Sequence, residues 1–168
     1  MTGALGILRV QQKEGTILFQ VEGQATVVLG LPLRRLAEQS LGSGVSRIRM
    51  DLRHCTWMDS TFVGTVLLLV RAALSKERGE FCLVSPSPEC RRILKQMGVD
   101  RICVIQQEDE LPPESWTEVE RVPAEGDSFR CNVLQAHQEL AELPGAVGET
   151  FRKVVRCVTD SHPGGKAP

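Results

Sequence analysis

Residues 51–70 read DLRHCTWMDSTFVGTVLLLV, and this stretch decides the fold. The pattern predicts the end of a buried strand, a short turn, and then a helix that opens on Asp59, Ser60 and Thr61. All three residue types cap helix N-termini, and residues 62–70 are almost wholly apolar. We therefore expect a buried helix whose first turn carries hydroxyl groups.

The predicted helix N-terminus favours negative charge, because it has free backbone N–H groups and a partial positive charge. The fold would tolerate a phosphate on Ser60 or Thr61, although the charge of the surface would change sharply. One interpretation of Asp59, Ser60 and Thr61 is a helix cap with no further role. The other is a regulatory switch, and neither interpretation requires an active site.

Composition excludes several classes of function. Of the 168 residues, 42% are hydrophobic and 24% are charged, which is typical of a soluble globular protein. The net charge of −1 and the lack of a Lys/Arg run give no footprint for nucleic acid, and pairs such as Arg34-Arg35 are interpreted as solvated helix faces. No signal peptide is visible, and residues 62–70 are far shorter than the roughly 20 residues that span a bilayer. We predict a cytoplasmic protein without direct nucleic-acid binding or membrane insertion.

Six cysteines are scattered among apolar residues, and none forms a Cys-x-x-Cys pair. In His54-Cys55, the one close pair with a histidine, the side chains would point to opposite faces of a strand. We therefore interpret the cysteines as small buried hydrophobic residues in a reducing compartment. The sequence predicts no metal site and no cofactor.

Strand and helix patterns alternate through residue 106. The predicted elements are strands at 6–12 and 16–22 around the turn Lys13-Glu14-Gly15, closed by Gly23; a helix with a secure start near Pro32; a strand at 45–52; the helix that begins near Ser60 and runs to about Lys76; a strand at 81–84; a helix through 90–97; and a strand at 102–105. This β-β-α-β-α-β-α-β order predicts an α/β fold with a mixed, mostly parallel β-sheet, because strands that alternate with helices pair in parallel.

The character of the sequence changes after residue 106. Residues 107–126 are acidic and contain proline, which predicts an exposed connection between the domain at 1–106 and the C-terminal residues. Residues 127–160 carry two apolar stripes at helical spacing, and we expect two amphipathic helices that either cover the domain or bind a partner. Residues 161–168 are predicted to be a frayed tail. The sequence therefore predicts one domain with a C-terminal helical extension.

No residues have the spacing of a catalytic site. His54 and Cys55 cannot pair as base and nucleophile, because successive strand side chains face opposite sides. His137 lies beside the apolar stripe of a predicted helix, where we expect a surface or packing role, and its spacing from Cys131 does not suit one helix face. The sequence also lacks the glycine-rich phosphate-binding motifs. We predict that the protein is not an enzyme.

The motif Asp59-Ser60-Thr61-x-x-Gly64, between a strand and a hydrophobic helix in this element order, resembles the STAS domain. That family includes bacterial anti-sigma factor antagonists, and its switch motif is commonly Asp-Ser-Ser-Gly-hydrophobic-Gly with the second hydroxyl phosphorylated. Asp59 and Ser60 match the first two positions, Thr61 stands at the phosphorylated position, and Gly64 matches the later glycine. The resemblance covers residues 5 to 106.

The chain departs from the family pattern at two places. Phe62 replaces the first glycine, and we expect its bulky side chain at the rim that faces a partner. Antagonists of the family often carry an acidic residue soon after the glycine that ends the second strand, whereas here Gly23 is followed by Gln24-Ala25-Thr26.

The resemblance implies a non-catalytic antagonist that regulates transcription indirectly. Its partner would be an anti-sigma factor with serine/threonine kinase activity that binds the unphosphorylated form and then phosphorylates Thr61, or alternatively Ser60; a phosphatase would restore the protein. The alternative function is a STAS scaffold subunit of a signalling or transport complex without a phosphorylation switch. The oligomeric state stays open. The implied partner-binding residues are Asp59, Ser60, Phe62, Val63 and Gly64.

Overall fold

A computed structural model of the chain describes residues 5–161, so most of the predicted tail lies outside the described residues. The fold opens with a hairpin in which β1 (Ile7–Lys13) and β2 (Thr16–Ala25) pair antiparallel. Glu14 and Gly15 form its turn with φ angles of 48° and 73°, and two positive φ angles favour glycine at the second position. The predicted hairpin turn is confirmed.

The described residues form one six-stranded sheet and five α-helices. The elements after the hairpin are α1 (Val27–Gly42), β3 (Arg47–Met58), α2 (Ser60–Leu74), β4 (Glu80–Val84), α3 (Pro88–Gln96), β5 (Val104–Gln106), β6 (Thr117–Glu118), α4 (Asp127–Ala141) and α5 (Gly145–Asp160). The strand order is β5-β4-β3-β2-β1-β6; β2 to β5 are parallel, whereas β1 is antiparallel to both of its neighbours. The predicted mixed, mostly parallel α/β fold with a C-terminal helical extension is confirmed.

The core lies between one face of the sheet and the helices. Phe19 on β2 and Met50 on β3 are opposite each other in parallel register, and both are fully buried. They belong to one hydrophobic cluster with Leu33 of α1 and with Phe62 and Leu69 of α2. Burial of these large apolar side chains is the main favourable contribution to folding.

The start of α1 differs from the prediction. The helix begins at Val27, and Pro32, the predicted start, lies inside it. The prediction was wrong because it depended on a local signal, whereas the N–H group of Val27 donates to the Asp59 carboxylate at 2.7 Å. A residue distant in sequence thus stabilises the beginning of this helix.

β2 and β3 are also longer than predicted. β2 continues through Gly23, and β3 continues to Met58, so the short turn predicted before Asp59 is absent. Gly23 has a φ of 76° and lies at a shift in the β2–β3 register. Because glycine adopts this left-handed conformation without steric cost, the strand bulges here and does not end.

β5 begins at Val104, two positions after the predicted start at Ile102. The backbone N–H groups of Ile102 and Cys103 both donate to the carbonyl of Val99 at 3.0 Å. The chain therefore completes a tight helical turn before it can pair as a strand.

The acidic segment after β5 crosses the sheet. β5 and β6 form opposite edges of the sheet, and the contacts of Glu108 and Glu110 with β3 show that residues 107–116 cross the face opposite the hydrophobic cluster. On that face Glu108 pairs with Arg49, and Glu110 pairs with His54. Acidic side chains of the predicted connection therefore contact Arg49 and His54 of β3, and the connection leads into β6, which the sequence pattern did not reveal.

Candidate functional site

Asp59 caps two helices with one carboxylate. As the N-cap of α2, it accepts a hydrogen bond at Oδ1 from the N–H group of Phe62 at 2.8 Å. Its Oδ2 accepts the hydrogen bond from Val27 at the start of α1, and its own N–H group donates to the carbonyl of Ala25 at 3.0 Å. Asp59 therefore holds two helix N-termini side by side, where its negative charge offsets their partial positive charges.

The two hydroxyl groups after Asp59 have different environments. Ser60 is half-buried, whereas Thr61 is only 6% exposed. The Thr61 Oγ1 atom lies 3.2 Å from Nε2 of His137 on α4. The Thr61 hydroxyl thus lies within a helix–helix contact, and a phosphoryl group on it would require α4 to move.

Phe62 and Val63, the next two residues, are both 0% exposed. Phe62 belongs to the hydrophobic cluster of the core. The predicted position of Phe62 at an exposed rim is therefore wrong, because α2 lies on the sheet and turns this side chain inward. A role for either residue in partner binding stays a prediction.

α4 packs against α1 and α2 through small and polar residues. At Gly64 the helix backbones nearly touch, since a Cβ atom there would lie 2.2 Å from the carbonyl oxygen of Ala136. Beside this crossing, Asn132 is 1% exposed and donates to the Oγ1 atom of Thr65 at 3.5 Å. A Cβ atom on Gly30 of α1 would lie 3.2 Å from the same hydroxyl. The close approach therefore depends on the missing side chains of two glycines.

Charged side chains surround this contact. Arg34 on α1 donates to Asn132 at 3.3 Å and also to Gln135, both on α4. Arg71 on α2 lies 3.0 Å from the carboxylate of Glu139. Burial raises the pKa of Glu139, and the Arg71 charge opposes that rise. The interpretation of Arg34 as part of a solvated face is therefore wrong, because this side chain binds α4.

His137 of α4 contacts both α2 and α5. Its Nε2 atom lies against Thr61, and its ring contacts the Phe151 ring of α5 at a centroid distance of 5.6 Å. Its Nδ1 atom is buried and has no hydrogen-bond partner among the described residues. Burial lowers the pKa of His137, while the negative charge of Asp59 opposes that change. Burial therefore favours the neutral imidazole while α4 is docked.

A cavity of about 520 Å³ lies on the other face of the sheet. Its lining includes Arg9, Glu22, His54 and Glu110, which form two pairs, Arg9 with Glu22 at 2.7 Å and His54 with Glu110. Each of these four side chains therefore already has a partner within the cavity lining.

All six cysteines are free thiols, and Cys55, Cys82, Cys90 and Cys103 are buried. A hydrogen bond to Cys90 raises the pKa of Cys55, and the same contact lowers the pKa of Cys90. Burial raises the pKa of Cys103 to about 12.

Within residues 5–161, no group of three His, Cys, Asp or Glu side chains could hold a metal ion. No helix of that range is long and apolar enough to cross a membrane.

The sequence profile of the STAS domain family matches residues 8–110, which is more than half of the chain. This protein therefore belongs to the STAS domain family. α4 and α5 lie outside the matched residues. A comparison with curated proteins gives no match.

Several solved structures share the fold. The anti-sigma factor antagonist SpoIIAA in its unphosphorylated form superposes with a TM-score of 0.56 at 20% identity, over 61% of this chain and 89% of that one. The Bacillus cell fate determinant SpoIIAA in its phosphorylated form gives a TM-score of 0.52 at 20% identity, over 61% and 92%. Protein TM1081 from Thermotoga maritima gives 0.52 at 19% identity, over 59% and 85%. At these identities the similarity is one of fold.

Proposed function

We propose that this protein is a non-catalytic anti-sigma factor antagonist whose binding is switched by phosphorylation of Thr61. Its partner is an anti-sigma factor with serine/threonine kinase activity, and a phosphatase reverses the modification. The observation that carries this proposal is the double cap by Asp59, which sets Thr61 in the first turn of α2 beside two helix N-termini. Membership of the STAS family and the spacing of Asp59, Thr61 and Gly64 support the same function.

Electrostatics explain how the switch releases a partner. A phosphate on Thr61 adds about 2 negative charges within the first turn of α2, next to Asp59. The free N–H groups of α1 and α2 offset part of this charge inside the domain. An acidic or apolar partner surface has no such groups, so the phosphorylated protein dissociates from it. Ser60 is the alternative acceptor, because it is more exposed than Thr61.

Two substitutions at one position test the switch. We expect Thr61→Ala to retain the partner and Thr61→Glu to lose it, when both variants are used as bait in a lysate of the source organism. Ser75→Glu is the matched control, because it adds the same charge at the exposed C-terminal end of α2. The captured protein should phosphorylate the wild type with ATP, and peptide mapping should find the phosphate on Thr61. Equal capture by Thr61→Ala and Thr61→Glu would overturn the switch.

The second candidate function is a scaffold subunit of a signalling or transport complex. The burial of Thr61 beneath α4 favours it, because a buried hydroxyl bonded to His137 serves packing without any modification. A scaffold would hold the same partners with Thr61→Ala and Thr61→Glu, and mapping would find no phosphate there.

A further inference from the structure

α4 covers the surface that the proposed switch needs. Thr61 is buried against His137, and the backbone of α2 at Gly64 is in contact with that of α4 at Ala136. Neither a kinase nor a docking protein reaches the Thr61 hydroxyl while α4 occupies this position. The proposed function therefore requires a second conformation in which α4 has left α2.

The crossing of α4 with α2 is made mainly of small and polar residues. Only three residues of α4 are buried, Asn132, Ala136 and Leu140, and Leu140 is the one large apolar side chain among them. Leu140, together with Leu143 just after the helix, belongs to the core cluster, so the main apolar contact of this segment lies at its C-terminal end. At the crossing with Gly64, α4 is held by hydrogen bonds and ion pairs of Thr61, Thr65, Arg34 and Arg71, which water can replace at modest cost.

The covered surface is shaped for a helix. Gly30 and Gly64 leave a shallow groove between α1 and α2, which α4 occupies. In this groove the Thr65 hydroxyl accepts a hydrogen bond from Asn132 of α4. Arg34 stands at the edge of the groove and donates to side-chain oxygens of that helix. An occupant must therefore present a residue no larger than alanine at the crossing with Gly64, and oxygen acceptors toward Arg34.

We propose that α4 is an internal competitor, and that a protein partner reaches Thr61 by replacing α4 with a helix of its own. This inference rests on the proposed function for the identity of the partner, but not for the helix-binding surface itself. Because α4 is tethered, its effective concentration at the groove is high, on the order of millimolar for a short flexible linker. The apparent affinity of a partner is thus the intrinsic affinity multiplied by the fraction of molecules in which the groove is open.

A variant on α4 opens the groove without altering it. Ala136→Glu sets a charged side chain against the backbone at Gly64, whereas Ala146→Glu adds the same charge at an exposed position of α5. The probe is a fluorescein-labelled synthetic peptide of residues 127–160, titrated into each full-length protein and followed by fluorescence anisotropy. We expect the peptide to bind Ala136→Glu at least ten-fold more tightly than it binds Ala146→Glu or the wild type.

Equal binding of the peptide to Ala136→Glu and Ala146→Glu, or binding to neither, would overturn the internal competitor. Hydrogen exchange of β2 and β3 monitors folding of the core, and His137→Ala replaces Ala136→Glu if that core loses protection. The peptide result does not involve Thr61 chemistry. The Thr61→Glu experiment can therefore fail while the peptide binds, and the peptide can fail while the Thr61 switch holds, so the two proposals are separately testable.

Discussion

The two faces of α2 are packed in different ways. Toward the sheet α2 buries large apolar side chains, including Phe62 and Leu69. Toward α4 it presents Thr61, Gly64 and Thr65, which make hydrogen bonds and a close backbone contact. Large apolar side chains make the first face a permanent part of the fold, because separating it from the sheet would expose much apolar area. The second face has no large apolar side chain where Gly64 meets Ala136, and this is the contact that we propose can exchange one helix for another.

The largest effect is expected from a change on the sheet side. Phe62→Ala removes a fully buried aromatic side chain and should lower the free energy of unfolding by about 3–5 kcal/mol, since it leaves a cavity in the core. Urea denaturation followed by circular dichroism measures this loss. Phe151→Ala on α5 is the matched control, because Phe151 is half-buried against His137. An equal decrease in the free energy of unfolding for both variants would contradict the difference between the two faces of α2.

Asp59 holds the end of α2 where the two faces meet, and its removal should have the next largest effect. Asp59→Ala deletes the acceptors of Val27 and Phe62 and should cost about 2 kcal/mol, because each lost cap costs about 1 kcal/mol. Asp59→Asn keeps one oxygen acceptor and should cost about half as much. The same urea experiment compares the variants, and equal losses from Asn and Ala would contradict the double cap.

A methyl group on Gly64 should separate α4 from α2 without disturbing the sheet side of α2. Gly64→Ala should release α4, because its Cβ atom would lie 2.2 Å from the carbonyl oxygen of Ala136. The core should stay as stable as before or gain up to about 1 kcal/mol, since alanine favours a helix over glycine. Hydrogen exchange should then rise in 127–160 and not in β2 or β3. Gly42→Ala, whose Cβ atom meets nothing within 4 Å, is the control, and identical exchange in both variants would refute the contact.

The smallest effect is expected from pH. Burial lowers the pKa of His137 in the docked state, so the undocked helix binds a proton more readily. Docking is therefore strongest above pH 6.5, the ordinary histidine pKa, and weakens as the pH falls toward the lowered pKa of the docked residue. Glu139, whose pKa burial raises, acts in the opposite direction, while Asp59 moderates the His137 shift.

Hydrogen exchange of α4 between pH 7.5 and 6, corrected for the intrinsic rate, measures this dependence. His137→Gln keeps a side chain that can bond to Thr61 but does not titrate. We expect exchange of α4 to rise toward pH 6 in the wild type and not in His137→Gln. A rise of the same size in the variant would assign the effect to other groups.

The element order was predictable because its signals are local. Alternating apolar side chains such as Phe19 mark the strands, and Asp59 marks the start of α2. The start of α1 was not predictable, because the bond that stabilises it joins Val27 to a residue 32 positions away. The strand ends near Gly23 were misplaced for a related reason, since a bulge depends on the neighbouring strand.

The candidate site likewise has one part that could be predicted from the sequence and one part that could not. The motif of Asp59, Thr61 and Gly64 and the family it implies could be recognised in the sequence, because their spacing is short and fixed. The contact of His137 with Thr61 spans 76 positions, and a histidine beside an apolar stripe carries no signal of such a partner.

The sequence by itself determined the STAS motif, the alternation of strands and helices, and the two amphipathic helices within 127–160, because periodicity and capping act within a few residues. It left open whether those helices cover the domain or extend toward a partner. Only the tertiary structure decided that α4 covers Thr61. The physical reason is steric fit, since α4 can approach α2 this closely only where Gly64 meets Ala136, and no local pattern records which two small residues will meet.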